Sequence, residues 1–245
     1  LTSSLRTIEE LSKIVAPKLT VEFERMRYNG YTLEQRLMQR FHAAGRFADV
    51  RLYVLISSAW CRGSIRETAR AAIAGGADAI QLREKNVEDK IFLAIAAELR
   101  ELTDEMGRLL IVNDRPDIAA LVGADGVHLG QGDLPVAEAR KLLRPGAMVG
   151  RSTHSEAEVR AAMNEGPDYL AVGPMFRSPT KPELPVAGPK LLRWAVKEVP
   201  LPVVAIGGIT AANAPELVAA GARCLAVGSA VCGAEDAKSA AAAIR

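Results

Sequence analysis

The sequence contains few cysteines and histidines, and they do not form a metal-binding pattern. There are three histidines and three cysteines in 245 residues. Cys61, Cys224 and Cys232 are too widely separated to form a CxxC pair. This excludes zinc ribbons and small scaffolds held together by disulfides. Sparse, odd-numbered cysteines are typical of proteins in a reducing cytoplasm, which is the compartment that we expect.

A charge excess and a long apolar run are also missing. Lys and Arg number 31 against 29 Asp and Glu, with no long block of one sign, so a nucleic-acid footprint is not expected. No apolar stretch reaches membrane-spanning length, and the start carries no signal-peptide pattern. We therefore expect no membrane association. The expected partners are small molecules, with homo-oligomer formation left open.

Residues 1–48 differ in pattern from the rest of the chain. Leu5, Ile8, Leu11 and Val15 recur at helical spacing, a second run of this kind follows, and strand signals are few. The spacing predicts two or three helices that form an N-terminal helical extension. No catalytic motif occurs in this segment.

Short β-branched segments recur from residue 51 onward, with helical patterns between them. They are RLYVLIS, DAIQLRE, RLLIVND, DGVHLGQ, MVGRST, YLAVGP, VVAIGGI and CLAVGSA. Three of the intervening helices begin at pairs with capping-box spacing, Ser64/Glu67, Ser155/Glu158 and Asn213/Glu216. Eight alternating units predict a closed (β/α)8 TIM barrel over residues 49–245, rather than an open doubly wound sheet. No strand is followed by GxGxxG, which disfavours dinucleotide binding.

Polar side chains collect at the ends of the predicted strands, where such barrels build their active sites. The second strand ends in QLREK, so that Gln81, Arg83 and Lys85 share one face of it. Further candidates follow the third to sixth strands: Asn113, Asp114, Asp133, Ser152, Ser178, Thr180 and Lys181. The alternative interpretation is a salt-bridged layer that only plugs the barrel.

The last two strands end in glycine-bearing turns instead, Gly207-Gly208 and Gly228-Ser229. Barrels of this class commonly bind phosphate on backbone N–H groups at these two positions, because glycine permits close approach and a helix N-terminus favours an anion. Alternatively, these glycines would only allow tight turns. The pattern favours a phosphate site.

Two carboxylates, Asp114 and Asp133, follow neighbouring predicted strands. Hard oxygen ligands without a His or Cys partner match Mg²⁺ shared with substrate phosphates better than they match zinc. Arg83, Lys85 and Lys181 would then supply the positive charge that holds a polyphosphate and stabilises it as it leaves. The alternative is that one or both carboxylates simply cap the following helix, above all Asp133.

Taken together, these motifs resemble those of the thiamine phosphate synthase family over about residues 51–235. They are QLREK, NDR, GVHLGQGD, GRSTH, GPMFRSPTK, VAIGGI and AVGSA, in the family's order. The resemblance implies a Mg²⁺-dependent transferase. Its substrates would be 4-amino-5-hydroxymethyl-2-methylpyrimidine diphosphate and 4-methyl-5-(2-phosphoethyl)thiazole or its carboxylated form, and its products thiamine phosphate and diphosphate. The diphosphate would leave first.

The resemblance also assigns roles to single residues. The pyrimidine diphosphate would contact Gln81, Arg83, Lys85, Asn113, Ser152 and Lys181, among which Arg83, Lys85, Ser152 and Lys181 are the expected catalytic residues. Mg²⁺ would bind Asp114 and Asp133. The thiazole phosphate would contact Ser178, Thr180, Gly208, Gly228 and Ser229. Two rivals stay open: a thiazole tautomerase, in which His154 could move a proton, and a non-catalytic barrel that senses a phosphorylated ligand.

Overall fold

A computed structural model describes residues 2–177 and 185–245, with side chains for 3–34, 45–177 and 185–245. The predicted site residues Ser178, Thr180 and Lys181 lie outside the described residues. The chain divides into two compact units, Leu1–Ala43 and Ala44–Arg245. The division into a 1–48 extension and a 49–245 catalytic domain stays a prediction. None of the described helices has both the length and the apolarity needed to cross a bilayer.

The predicted helices of the N-terminal extension are present. They are α1 (Thr2–Val15) and α2 (Thr20–Ala48), joined by a 3₁₀ turn over Pro17–Leu19. Within the first unit, the side chain of Arg27 donates hydrogen bonds to the buried carboxylate of Glu9. This ion pair ties the two helices together at a point shielded from water.

The second unit is the predicted closed barrel of eight parallel strands, each hydrogen-bonded to its sequence neighbours, with β8 closing on β1. The strands are β1 (Leu52–Ile56), β2 (Ala79–Leu82), β3 (Leu109–Asn113), β4 (Gly126–Leu129), β5 (Met148–Thr153), β6 (Tyr169–Val172), β7 (Val203–Ile206) and β8 (Cys224–Val227). The helices are α3 (Ile65–Ala74), α4 (Asp89–Glu105), α5 (Pro116–Leu121), α6 (Val136–Leu142), α7 (Glu156–Glu165), α8 (Gly188–Glu198), α9 (Ala214–Ala219), α10 (Ser229–Cys232) and α11 (Ala237–Ala242). The fold prediction is confirmed.

Two of the three predicted helix caps are present. Ser64 and Ser155 each accept a hydrogen bond from the backbone N–H three residues later. The helix predicted to start at Asn213 does begin there, but the capping hydrogen bond is absent, because the carboxamide of Asn213 accepts from the N–H of Thr210 and donates to the carbonyl of Gly208. Asn213 therefore stands at the start of α9, while its side chain braces the turn after β7.

Buried ion pairs lie at the amino ends of the strands, opposite the predicted site. Asp125, just before β4, pairs with Arg100 and accepts from the N–H of Leu110. Asp168, just before β6, likewise pairs with Arg140 and accepts from the N–H of Val149. Each carboxylate thus satisfies buried backbone and arginine donors at once. These ion pairs involve none of the predicted site residues.

An aromatic cluster fills the barrel between these two ends. The ring of Tyr169 stacks on Phe47, with centroids 3.9 Å apart, and both meet Tyr53 edge to face. Gly150 on β5 makes room for this cluster, because a Cβ atom there would lie 2.1 Å from Cζ of Tyr169.

Gly150→Ala is therefore expected to lower the free energy of unfolding by about 3 kcal/mol, near the upper end for an overpacked core. Urea denaturation measures this. Gly45→Ala is the matched control, since nothing lies within 4 Å of its Cβ position and alanine in a helix should stabilise by up to about 1 kcal/mol. Equal stability of the two variants would contradict the placement of Tyr169.

Candidate active site

A cavity opens at the carboxyl ends of the strands and encloses about 850 Å³, including the part open to solvent. Parallel strands bring their carboxyl ends to one rim, so residues far apart in sequence meet there. Seven of the predicted site residues line this cavity: Gln81, Arg83, Asn113, Ser152, Gly208, Gly228 and Ser229. Their individual roles stay predictions.

Arg83 presents to the cavity a cation that has no ion-pair partner among the described residues. None of the ion pairs among the described residues includes Arg83 or Lys85. Burial lowers the pKa of the Arg83 guanidinium, and the nearby carboxylate of Asp114 opposes that shift. The guanidinium also lies 5.5 Å from the ring centroid of Trp60. A half-buried arginine without a partner is suited to binding an anionic ligand.

The rest of QLREK differs in part from the predicted row. Glu84 points away from the cavity and is buried, where its carboxylate accepts hydrogen bonds from the hydroxyl and N–H of Ser58. Lys85 is exposed and is not among the cavity-lining residues. Its charge still acts on Asp114, where it lowers the carboxyl pKa. Lys85 therefore lies at the rim, beside the carboxylates, and not on the cavity wall.

The two predicted metal ligands contact each other. Burial raises the pKa of Asp114 to about 6, and so do the hydrogen bond and the negative charge of Asp133. Asp133 accepts from the N–H of Gly130 at 2.6 Å and does not cap α6, so the capping alternative is wrong. Two crowded carboxylates beside cations could hold a hard divalent cation that takes its other ligands from water and phosphate. Among the described residues, no group of three or more such ligands occurs.

The glycine turns expose backbone to the cavity. Gly208 has φ +64°, and a Cβ atom there would lie 2.5 Å from the carbonyl oxygen of Arg177. At Gly228, a Cβ atom would lie 2.9 Å from the ring of Trp60. The N–H groups of both glycines donate no hydrogen bond to the described residues. These turns can therefore present free N–H groups to an anion.

The motifs did not identify a polar chain inside the barrel. The carboxamide of Gln81 donates to the hydroxyl of Tyr53 at 2.6 Å, and the hydroxyls of Tyr53 and Tyr169 lie 3.0 Å apart. His128 links Tyr169 to Ser152. Its Nδ1 lies 3.1 Å from the Tyr169 hydroxyl, and its Nε2 lies 2.8 Å from the Ser152 hydroxyl. The available signal was a polar atom within each otherwise apolar strand, YVLI, GVHL and YLAV.

His154, the residue named for the rival tautomerase, also lines the cavity. Its Nδ1 lies 2.7 Å from the carbonyl oxygen of Gly173. A carbonyl can only accept, so Nδ1 carries a proton, and in the neutral ring Nε2 is the basic atom. Geometry alone is therefore compatible with both a synthase and a tautomerase.

Several known proteins with similar sequences are thiamine-phosphate synthases. Residues 52–231 match the family model for thiamine monophosphate synthase. The thiamine-phosphate synthase of Methanoculleus marisnigri is 48% identical over 199 residues, which cover 79% of this chain and 93% of that protein. Those of Gloeobacter violaceus and Nostoc punctiforme are 42% and 41% identical over 95% and 91% of this chain. The chain spans 67% and 63% of their respective lengths.

Solved structures agree with the sequence matches. A thiamine phosphate pyrophosphorylase from Pyrococcus furiosus superimposes with a TM-score of 0.74 at 40% identity, covering 80% of this chain and 94% of that one. A 3-hexulose-6-phosphate synthase, at 19% identity and a TM-score of 0.57, shares the fold only. The family model covers most of this chain, and the relatives described above match it over 79% to 95% of its length. The chain therefore belongs to the thiamine monophosphate synthase family.

Proposed function

We propose that this chain is a transferase that joins 4-amino-5-hydroxymethyl-2-methylpyrimidine diphosphate to 4-methyl-5-(2-phosphoethyl)thiazole, or to its carboxylated form. The products are thiamine phosphate and diphosphate, and the carboxylated form additionally loses its carboxyl group as CO2. One observation carries the proposal: the guanidinium of Arg83, which has no ion-pair partner among the described residues, faces a cavity, and its charge acts on the carboxylate of Asp114, which contacts Asp133. An anion shared between an arginine and a divalent cation fits this arrangement.

The pyrimidine diphosphate occupies the β2 to β5 side of the cavity in this proposal. Gln81, Asn113 and Ser152 contact the pyrimidine half, while Arg83, Lys85 and Lys181 hold the diphosphate. Asp114 and Asp133 bind Mg²⁺, which supplies charge neutralisation to the diphosphate when it is bound. The raised pKa of Asp114 supports this, since crowded carboxylates are relieved by a cation.

The thiazole phosphate occupies the side of the cavity formed by the ends of β7 and β8. The N–H groups of Gly208 and Gly228, which donate to none of the described residues, support a phosphate there, and Asn213 holds the Gly208 turn in place through its hydrogen bond to the Gly208 carbonyl. Ser229, Ser178 and Thr180 are its further proposed contacts. The two substrates would thus approach each other across the mouth of the barrel.

The reaction needs charge stabilisation and positioning more than it needs a general base. The bond between the pyrimidine methylene carbon and the diphosphate oxygen breaks, and its electron pair leaves with the oxygen. The thiazole nitrogen then donates its lone pair to the resulting cationic carbon. Arg83 and Lys85 stabilise negative charge that grows on the departing oxygen, while Ser152 orients the ring.

Three broader assignments accompany this proposal. Residues 1–48 form an extension that contributes no residue to the site, and residues 49–245 form the catalytic domain. The protein acts in the cytoplasm, where its three free cysteines stay reduced. It acts on small molecules and not on nucleic acid, and a homo-oligomer is compatible with these roles.

The test of the function is incubation of the purified chain with both substrates and Mg²⁺, followed by assay of both products. The proposal expects thiamine phosphate and diphosphate in equal amounts, with neither formed when one substrate is left out. A tautomerase would instead isomerise the carboxylated thiazole phosphate alone, using His154. A sensor would bind ligand without turnover. Either result would overturn the proposal.

The apparent affinity for Mg²⁺ should depend on pH near 6. The carboxyl pKa of Asp114 is raised to about 6, so below that pH the group is protonated and competes with the metal. We expect the Mg²⁺ concentration for half-maximal rate to fall about fivefold from pH 5 to pH 6 and to level off above pH 7. Steady-state titrations at each pH measure this. A flat profile would contradict the assignment of Asp114.

A further inference from the structure

The hydrogen-bonded chain through the barrel joins two proposed substrate contacts. It begins at Gln81 on β2, passes through Tyr53, Tyr169 and His128, and ends at Ser152 on β5. Gln81 and Ser152 line the cavity, whereas the three middle members do not. The middle members are 1%, 0% and 4% exposed, so bulk water cannot rearrange their hydrogen bonds.

The donors and acceptors of this chain determine one another. Gln81 uses its amide N–H toward the Tyr53 oxygen. The Tyr53 proton then has the Tyr169 oxygen as its acceptor, and the Tyr169 proton goes to Nδ1 of His128. A neutral imidazole that accepts at Nδ1 donates from Nε2, here to the oxygen of Ser152. Reversing the Gln81 amide would reverse all four links together.

The two ends of the chain consequently have opposite polarity. Oε1 of Gln81 is buried and has no partner among the described residues, so it is left as an acceptor for a ligand in the cavity. Ser152 accepts from His128 and keeps its hydroxyl proton for the ligand. An unpaired buried oxygen costs about 1–3 kcal/mol, which a donor on the ligand would recover.

We infer that Tyr53, Tyr169 and His128 are positioning residues that set this polarity, and that the chain thereby selects a ring with an amino group over one with an oxo group. The inference rests on the proposed function and deepens it. An aminopyrimidine offers an N–H donor to Gln81 and a ring nitrogen lone pair to Ser152. Exchanging amino for oxo turns that donor into an acceptor, which then faces Oε1 of Gln81.

The test uses the whole chain with Mg²⁺ and two probes, the 4-amino and 4-oxo forms of the pyrimidine diphosphate, with binding measured by calorimetry and no thiazole present. We expect the parent to prefer the amino form by on the order of 10²-fold. Tyr169→Phe keeps the ring that stacks on Phe47 but cuts the chain, so the preference should fall at least about tenfold. Tyr53→Phe should reduce the preference by a similar factor, and it replaces Tyr169→Phe in the test if that variant is unstable.

Thr153→Val is the matched control. It removes the neighbouring buried hydroxyl, which donates to the carbonyl of Ala171 and is outside the chain. Its melting temperature should fall by a similar amount while the preference for the amino form is kept. An unchanged preference in folded Tyr169→Phe, an equal loss in Thr153→Val, or no preference in the parent would each overturn the inference. If the parent binds the amino form selectively but forms no product, the inference stands and the proposed function fails.

Discussion

Replacing Arg83 with methionine should lower kcat/KM by roughly 10² to 10³, while the melting temperature stays near that of the parent. The guanidinium is half-buried, faces the cavity and has no ion-pair partner among the described residues. Losing one preorganised cationic contact to developing charge typically costs a few kcal/mol. Because burial disfavours the charged form of Arg83 in the absence of ligand, removing it should not weaken the fold.

Arg70→Met is the control for a lost positive charge. Arg70 lies on α3 and pairs with the exposed Glu105, away from the cavity. An exposed pair contributes about 0–1 kcal/mol to stability, and its loss should leave kcat/KM unchanged. If Arg83→Met retained normal activity and instead unfolded at lower temperature, Arg83 would belong to a structural layer and not to the site.

Asp114→Asn should lower the rate by on the order of 10²-fold or more and yet stabilise the metal-free protein at neutral pH. The rate falls because one of two proposed Mg²⁺ ligands is lost, which removes several kcal/mol of charge stabilisation. The variant is more stable toward unfolding because the carboxyl pKa of Asp114 in the parent lies above its ordinary value of 3.8, at about 6. Above pH 6 the folded state therefore holds a charge that it disfavours. After allowance for partial exposure, the gain is about 1–2 kcal/mol.

Thermal melting at pH 7.5 with EDTA and steady-state assays with Mg²⁺ measure the two effects of Asp114→Asn. Asp117→Asn is the control, because the hydrogen bond from Arg115 lowers the pKa of the Asp117 carboxyl. That control should lose a little stability and no activity. Binding of the thiazole phosphate should survive in both variants. A parent rate that EDTA leaves untouched would refute the metal assignment.

The barrel was predictable because its pattern is periodic. Alternating β-branched and helical segments occur eight times, and no other common architecture buries eight such units in sequence order. The cavity followed from the same rule, since every strand end reaches one rim. Arg83, Asn113 and Ser152 could be placed on that rim without knowing any distance between them.

The details that could not be predicted depend on contacts between distant strands. Lys85 was expected on the cavity face, but β2 ends at Leu82, so strict alternation no longer governs a residue three positions later. Asn213 has the spacing of a helix cap, yet its carboxamide finds partners in Thr210 and Gly208. The sequence cannot show which of two local N–H donors, that of Thr210 or that of Glu216, the side-chain oxygen of Asn213 will accept from.

The chain from Gln81 to Ser152 was missed for a similar reason. Tyr53, His128 and Tyr169 lie on three different strands, and each looks like an ordinary buried residue in its own segment. Their meeting depends on barrel closure and on the space left by Gly150. A glycine within an apolar strand is the one local sign that a large side chain passes nearby.

Single-turnover kinetics on Arg83→Met test most directly whether the guanidinium of Arg83 assists the loss of diphosphate. Limiting pyrimidine diphosphate is mixed with excess enzyme, Mg²⁺ and thiazole phosphate, and both products are quantified after rapid quenching. We expect the rate constant of the chemical step to fall by roughly 10² to 10³, while the Kd of the pyrimidine diphosphate rises less than about tenfold. A chemical rate constant equal to that of the parent, with the whole loss in Kd, would contradict leaving-group stabilisation by Arg83.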